Sequence, residues 1–278
     1  MKSSEEITSD SLNGCVLTVV IPMAGLSSRF ARAGYDSPKY MLPVGSQTMF
    51  AWSVSSFASL FSKARFVFVC RDICGTPDFV SRYADSLGIN NSHVTVLTRE
   101  TSGQAETVYR GLEDCGLTGE RGSGLLIFNI DSRIEDFRLP SFATTGSEPN
   151  DCGKCDGYLE VFKAEGDHWS FVEADPDDLM FRVRKTAEKQ RISDLCSDGL
   201  YYFRDPELYC STYRALSGNP DYMKNGEFYI APMYNYLISQ GMDIRYALTP
   251  RDNVKICGTP SEYTDYLAKN LQLVSDSR

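Results

Sequence analysis

Short apolar runs separated by amphipathic stretches fill the first half of the chain. The runs at 16–24, 65–70, 93–98 and 124–130 are rich in β-branched and large apolar residues and bounded by polar turns, the signature of strands buried on both faces. Between them, 49–60, 77–87 and 103–115 repeat their apolar positions at helical spacing. This βαβα order predicts a mixed, mainly parallel sheet of Rossmann-like type with helices on both faces. Beyond it the texture changes. Tyr158–Lys163, Trp169–Glu173, Met180–Lys185 and Leu200–Phe203 predict short, partly antiparallel strands. Helices are expected over 206–216, 228–240 and 260–270, with a strand at 243–248. Residues 1–15 read as a flexible leader, and Pro140 to Asp156, rich in Gly, Ser, Thr, Pro and Asp, reads as a surface excursion.

In a parallel sheet, ligands gather beyond the carboxyl ends of the strands. The first run, Val19-Val20-Ile21, leads into Pro22-Met23-Ala24-Gly25-Leu26-Ser27-Ser28-Arg29-Phe30, with Pro38-Lys39 shortly after. Ala24, Gly25, Leu26, Ser27 and Ser28 offer successive backbone N–H groups with little bulk, which suits phosphate oxygens. Arg29 and Lys39 add positive charge. A loop of this kind suits a nucleoside triphosphate, although neither G-x-x-x-x-G-K-[ST] nor G-x-G-x-x-G occurs. Asp131 closes the apolar strand Leu125–Ile130, a natural anchor for Mg²⁺ shared with substrate phosphates. Gly103 and Gln104 open a helix after another strand, and a primary amide there suits reading the edge of a base.

The loop resembles the signature of the sugar-phosphate nucleotidyltransferase (NDP-sugar pyrophosphorylase-like) family, G-x-[GS]-[ST]-R-[FL] followed by P-K. Further segments follow in family order across residues 19–267. Glu188-Lys189 resembles the V-E-K segment, Gly199-Leu200-Tyr201-Tyr202-Phe203 the G-x-Y-x-F strand, and Gly226-Glu227-Phe228-Tyr229-Ile230 the G-E-x-x-I segment. The resemblance implies the nucleotidyltransferase and GT-A-like fold and transfer of NMP from an NTP to a phosphorylated small acceptor. Arg29, Lys39 and Asp131 would be catalytic, with Asp131 the metal residue for Mg²⁺. Gly103 and Gln104 would meet the base, and Glu188, Lys189, Gly199 and Glu227 the acceptor. It also implies a domain over 16–278, divided into a nucleotide-binding half (16–139) and an acceptor-binding half (157–270). The default acceptor is a sugar 1-phosphate, CTP or UTP the favoured donor, surface polysaccharide synthesis the setting, and a homo-oligomer a common assembly.

One departure stands out. Ile256 occupies the position two residues before Gly258-Thr259 where the family places a second metal-binding Asp. Three readings follow, in order of preference: one carboxylate plus the triphosphate suffices, Asp252 substitutes, or activity has been lost. The alternatives are a cytidylyltransferase for a non-sugar phosphate such as phosphocholine or a phospho-amino acid, a GT-A glycosyltransferase, and a non-catalytic nucleotide-binding protein. Aromatics at Tyr201, Tyr202, Phe228 and Tyr229 suit a cage for a cationic group, or core packing. Arg133 stands where D-x-D would need its second acid, against the glycosyltransferase.

The formal net charge of −9 argues against broad nucleic-acid or anionic-membrane binding. No run long enough to span a bilayer is present. Nine cysteines, an odd number without disulfide-like spacing, fit a reducing cytoplasm. Cys152-x-x-Cys155 has no second pair and the chain holds 2 histidines, so a zinc site is not expected.

Overall fold

The computed structural model describes residues 17–143, 155–176, 178 and 180–276, with side chains up to 269. The leader and much of the 140–156 excursion, including Cys152, lie outside the described residues. Strand β1 (Leu17–Pro22) is followed by the short helix α1 (Ser28–Arg32), a hairpin of β2 (Pro43–Val44) and β3 (Gln47–Thr48), and helix α2 (Met49–Val54). Then come β4 (Arg65–Arg71), α3 (Thr76–Leu87), β5 (Ser92–Leu97), α4 (Gln104–Asp114) and β6 (Gly124–Phe128). Strands β5, β4, β1 and β6 lie side by side in that order and are parallel.

The chain runs outward from β1 through β4 to β5, then returns to place β6 on the other side of β1. Two loops therefore leave β1 and β6 in opposite directions and open a crevice at the carboxyl ends of the two strands, the place where such sheets bind ligands. Period-two alternation within β1 sends Val20 to one core and Val19 and Ile21 to the other. The first core receives Val108 and Leu112 of α4, the second Phe50 and Val54 of α2 and Phe79 and Val80 of α3. Each such side chain withdrawn from water contributes about 1.5–3 kcal/mol.

The second half extends the same sheet. After β7 (Ser132–Ile134) come β8 (Gly157–Lys163), β9 (Ser170–Ala174), β10 (Val183–Glu188) and the long β11 (Leu195–Phe203). β11 pairs antiparallel with β6 and β8 and shifts register between Ser197 and Tyr201, which lets it meet β9 with its first residues. Helix α5 (Pro206–Leu216) starts on Asp205, whose carboxylate accepts from Leu208 N at 2.8 Å. The hairpin β12 (Met223–Lys224) and β13 (Glu227–Phe228), helix α6 (Met233–Ser239), β14 (Ile244–Leu248), β15 (Val254–Ile256) and α7 (Pro260–Asp276) complete the chain.

Three sequence expectations shift. The helix expected over 228–240 is confined to α6, because Asn225-Gly226 turns Glu227 and Phe228 back onto β12 and Phe228 N donates to Ser102 O at 2.7 Å. The helix over 49–60 ends at Val54 and passes into a 3₁₀ stretch kinked at Phe57. The strand expected from Met180 starts at Val183, after Phe181 adopts φ +61°. Among the described residues, no helix is long and apolar enough to cross a membrane.

Candidate active site

Two adjoining chambers, of about 430 and 360 Å³, open at the carboxyl ends of β1 and β6. The first is walled by the loop after β1, from Pro22 through Ser28, and by Gly103 and Gln104 at the start of α4. The second is walled by Glu188, Lys189, Gly199 and Glu227 from the second half of the chain, with Arg29 at its mouth. Lys39, Gln104, Asn129 and Asp131 line both and mark the junction. Arg29, Lys39 and Asp131, the loop residues Ala24 to Ser28, Gly103 and Gln104, and Glu188, Lys189, Gly199 and Glu227 thus fall on one continuous cleft.

The junction is held by local chemistry. Ser27 takes φ +51° as the loop turns into α1, and its Oγ accepts from Lys39 N at 3.2 Å, tying the two parts of the loop motif together. Lys39 Nζ reaches Asp131 Oδ2 at 2.5 Å. Asp131 is fixed from behind, its carbonyl accepting from Cys257 N at 2.8 Å next to the β7–β15 pair. Burial pushes the Cys257 thiol up to about 12, so it stays protonated there.

The Gln104 amide nitrogen donates to Asn129 Oδ1. Asn129 in turn packs on Gly199, which takes φ +95°; a Cβ there would come within 2.5 Å of the Asn129 side chain. Gly103 is equally constrained, with φ +139° and room for a Cβ only 2.6 Å from the Phe228 backbone. In the second chamber Ser170 Oγ donates to Glu188, and burial holds the Glu188 carboxyl above the usual carboxylate range. Lys189 takes φ +51°, and its ammonium donates to Tyr229 OH, which donates to Glu227. Burial and the Glu227 carboxylate raise the Tyr229 phenol and keep it neutral.

Sequence reasoning passed over Asn129, a polar residue closing an otherwise apolar strand, although that break in the apolar run was itself the signal. It also passed over Ser170, which the β9–β10 pairing sets opposite Glu188, and Asp198, which lies in the register shift of β11. Of the four aromatics weighed for a cage, Tyr201 and Tyr229 line the second chamber. Tyr202 and Phe228 belong to the two cores, 2% and 3% exposed.

Ile256 lines the chamber and offers no donor, and Asp252 lines neither chamber. Among the described residues no group of three His, Cys, Asp or Glu could hold a metal ion. The donor set at Asp131 fits a Mg²⁺ ion shared with substrate phosphates, which needs only one or two carboxylates, and not an ion held by protein alone.

Neither a family model nor a curated protein matches the sequence. Among solved structures, the nucleoside-diphosphate-sugar pyrophosphorylase from Vibrio cholerae RC9 is 45% identical, over 90% of this chain and 99% of that one, with a TM-score of 0.80. The inositol-1-phosphate CTP transferase from T. maritima is 15% identical over 92% of this chain and 96% of its own, with a TM-score of 0.63. The UTP-bound UGPase from Acinetobacter baumannii is 13% identical over 92% and 93%, at 0.61. At such low identity the last two speak for the fold alone. On the strength of the first, together with the loop motif and the cleft it builds, this chain belongs to the nucleoside-diphosphate-sugar pyrophosphorylase family of nucleotidyltransferases.

Proposed function

We propose that this enzyme transfers NMP from CTP or UTP to a phosphorylated small acceptor, with a sugar 1-phosphate the default, and releases pyrophosphate. The NDP-linked product would serve surface polysaccharide synthesis. An acceptor phosphate oxygen forms the new bond to the α-phosphorus. The bond from that phosphorus to the β-phosphate oxygen breaks, and pyrophosphate leaves with the electron pair. Catalysis is by positioning and charge neutralisation. In this reading residues 16–278 act as one domain, 16–139 holding the nucleotide and 157–270 the acceptor.

Ala24, Gly25, Leu26, Ser27 and Ser28 cradle the triphosphate through their backbone amides, and Arg29 stabilises the departing pyrophosphate. Lys39 bridges the α-phosphate and the acceptor phosphate. Asp131 would hold Mg²⁺ with the triphosphate, and the ion would supply further neutralisation of phosphate charge. Gly103 and Gln104 face the base. With its amide nitrogen engaged by Asn129, Gln104 keeps its carbonyl for a base N–H, as uracil or cytosine provides. Lys189 docks the acceptor phosphate, with Gly199, Glu188 and Glu227 around the rest of the acceptor.

The observation that carries this reading is the shared junction: Lys39 and Asp131 line both chambers, so a nucleotide in one and a phosphate in the other would meet there. The test follows label from NTP. Carried on the α-phosphate, it is expected in the acceptor product, and carried on the γ-phosphate, in pyrophosphate. Label released as inorganic phosphate or NDP without NMP transfer would overturn the reading.

A further inference from the structure

The second chamber contains two buried carboxyl groups without an ion-pair partner among the described residues; the Lys189 and Lys224 charges favour ionised Glu188 only from beyond ion-pair distance, and Glu227 opposes them. Asp198 is 2% exposed, and its Oδ1 accepts from Leu200 N at 3.0 Å while Oδ2 is buried without a hydrogen-bond partner. Glu188 is 9% exposed, and the hydroxyl of Ser170, a neutral group, donates to it. No Lys or Arg stands at salt-bridge distance from either among the described residues. Of the three Lys and Arg that line this chamber, Arg29 and Lys39 come from the loop after β1, and only Lys189 from the acceptor half. The Lys189 ammonium is already engaged with Tyr229, and through it with Glu227.

Burying a carboxylate without a counter-charge costs several kcal/mol, and a group so placed drifts toward its neutral form. Both carboxyls do so, pushed up by burial, and Asp198 further by the neighbouring Glu160. A sugar hydroxyl would satisfy lone pairs here and leave the charge uncompensated. An ammonium group does both, donating hydrogen bonds and restoring the ionised carboxylates in a site of low dielectric. Trp169 and Tyr201, aromatic residues of the kind that favour a nearby cation, line the same chamber.

Resting on the transfer reading above, we propose that the preferred acceptor carries a protonated amine away from its phosphate, seated on Asp198 and Glu188. The amine is the specificity element and the phosphate the reacting group, so the two ends of the acceptor are read by opposite charges.

The experiment measures pyrophosphate release with two matched sets of probes. One is glucosamine 1-phosphate against glucose 1-phosphate and N-acetylglucosamine 1-phosphate. The other is phosphoethanolamine against its N-acetyl derivative. The expected result is at least a tenfold higher kcat/KM for the amine in one set, carried mainly by KM and lost on acetylation. Asp198→Asn and Glu188→Gln should each lower kcat/KM for the amine at least tenfold more than for its neutral analogue. Neutral acceptors used as well as amines in both sets, or a preference that survives both substitutions, would overturn the proposal. Failure of the transfer reading shows differently, as no pyrophosphate with any NTP and any acceptor. Calorimetry on the wild type with the same probes then decides the amine question alone, and equal affinities for amine and neutral phosphates would overturn it.

Discussion

The Lys39 ammonium and the Asp131 carboxylate, 92 residues apart in the chain, meet at 2.5 Å where the two chambers join. In the proposed reaction the pair separates, Lys39 turning to the α-phosphate and the acceptor phosphate while Asp131 would hold Mg²⁺ with the triphosphate. Lys39→Ala and Asp131→Asn should therefore each reduce kcat/KM for NMP transfer by about 10²–10³-fold, the scale of losing one preorganised charge at a transferring group. Thermal unfolding within a few degrees of wild type would show that the fold is kept. Turnover near the wild-type rate in either variant would remove that residue from the mechanism.

Ile256 leaves Asp131 as the one carboxylate assigned to the metal. Mg²⁺ should accordingly bind weakly to the free enzyme and far more tightly with NTP present, which calorimetry reads directly. Ile256→Asp supplies the missing donor and should strengthen metal binding without nucleotide. Tight binding of Mg²⁺ to the wild-type protein alone would contradict this assignment.

Gly103 sits at the entry to α4, at φ +139°, where the Phe228 backbone leaves no room for a side chain. Gly103→Ala forces a Cβ to within 2.6 Å of backbone atoms in a conformation L residues rarely adopt. The substitution should cost about 1–3 kcal/mol of stability and raise KM for the NTP more than KM for the acceptor. Equal effects on both KM values would show that this turn does not act on the nucleotide side.

Much of this site could be read from the sequence because its parts are local. The β-branched run before Ala24, the small residues after it and Asp131 at the end of Leu125–Ile130 each announce a strand end, and parallel topology brings such ends together. Asn129 stands at such a strand end and was legible in the same way, but Ser170 and Asp198 were not. Ser170 meets Glu188 through the pairing of β9 with β10, and Asp198 lies in the register shift of β11, both long-range choices. The helix expected over 228–240 failed for a related reason, since Phe228 is drawn out of helical geometry by its bond to Ser102.

Glu160 should make stability depend on pH. It is 4% exposed, accepts from Thr249 Oγ1 at 2.6 Å, and neighbours the Asp198 carboxyl and Tyr158. Burial lifts its carboxyl from an ordinary value of 4.5 to about 7. Between those values the folded protein keeps a proton that the unfolded chain has lost, so stability falls as pH rises through the window and levels off above it. Urea unfolding at pH 5 and pH 7.5 should show the decline, and Glu160→Gln should lessen it, the raised Asp198 and Glu188 carboxyls accounting for the rest. An equal decline in the variant would place its origin elsewhere.

NMP transfer is read out by the pyrophosphate it releases. Each of the four NTPs is offered with Mg²⁺ and a panel of sugar 1-phosphates and amine-bearing phosphates. Release that requires one pyrimidine NTP, one acceptor and the metal together is the predicted result. No release with any pair, and no NTP binding by calorimetry, would rule out NMP transfer by this protein.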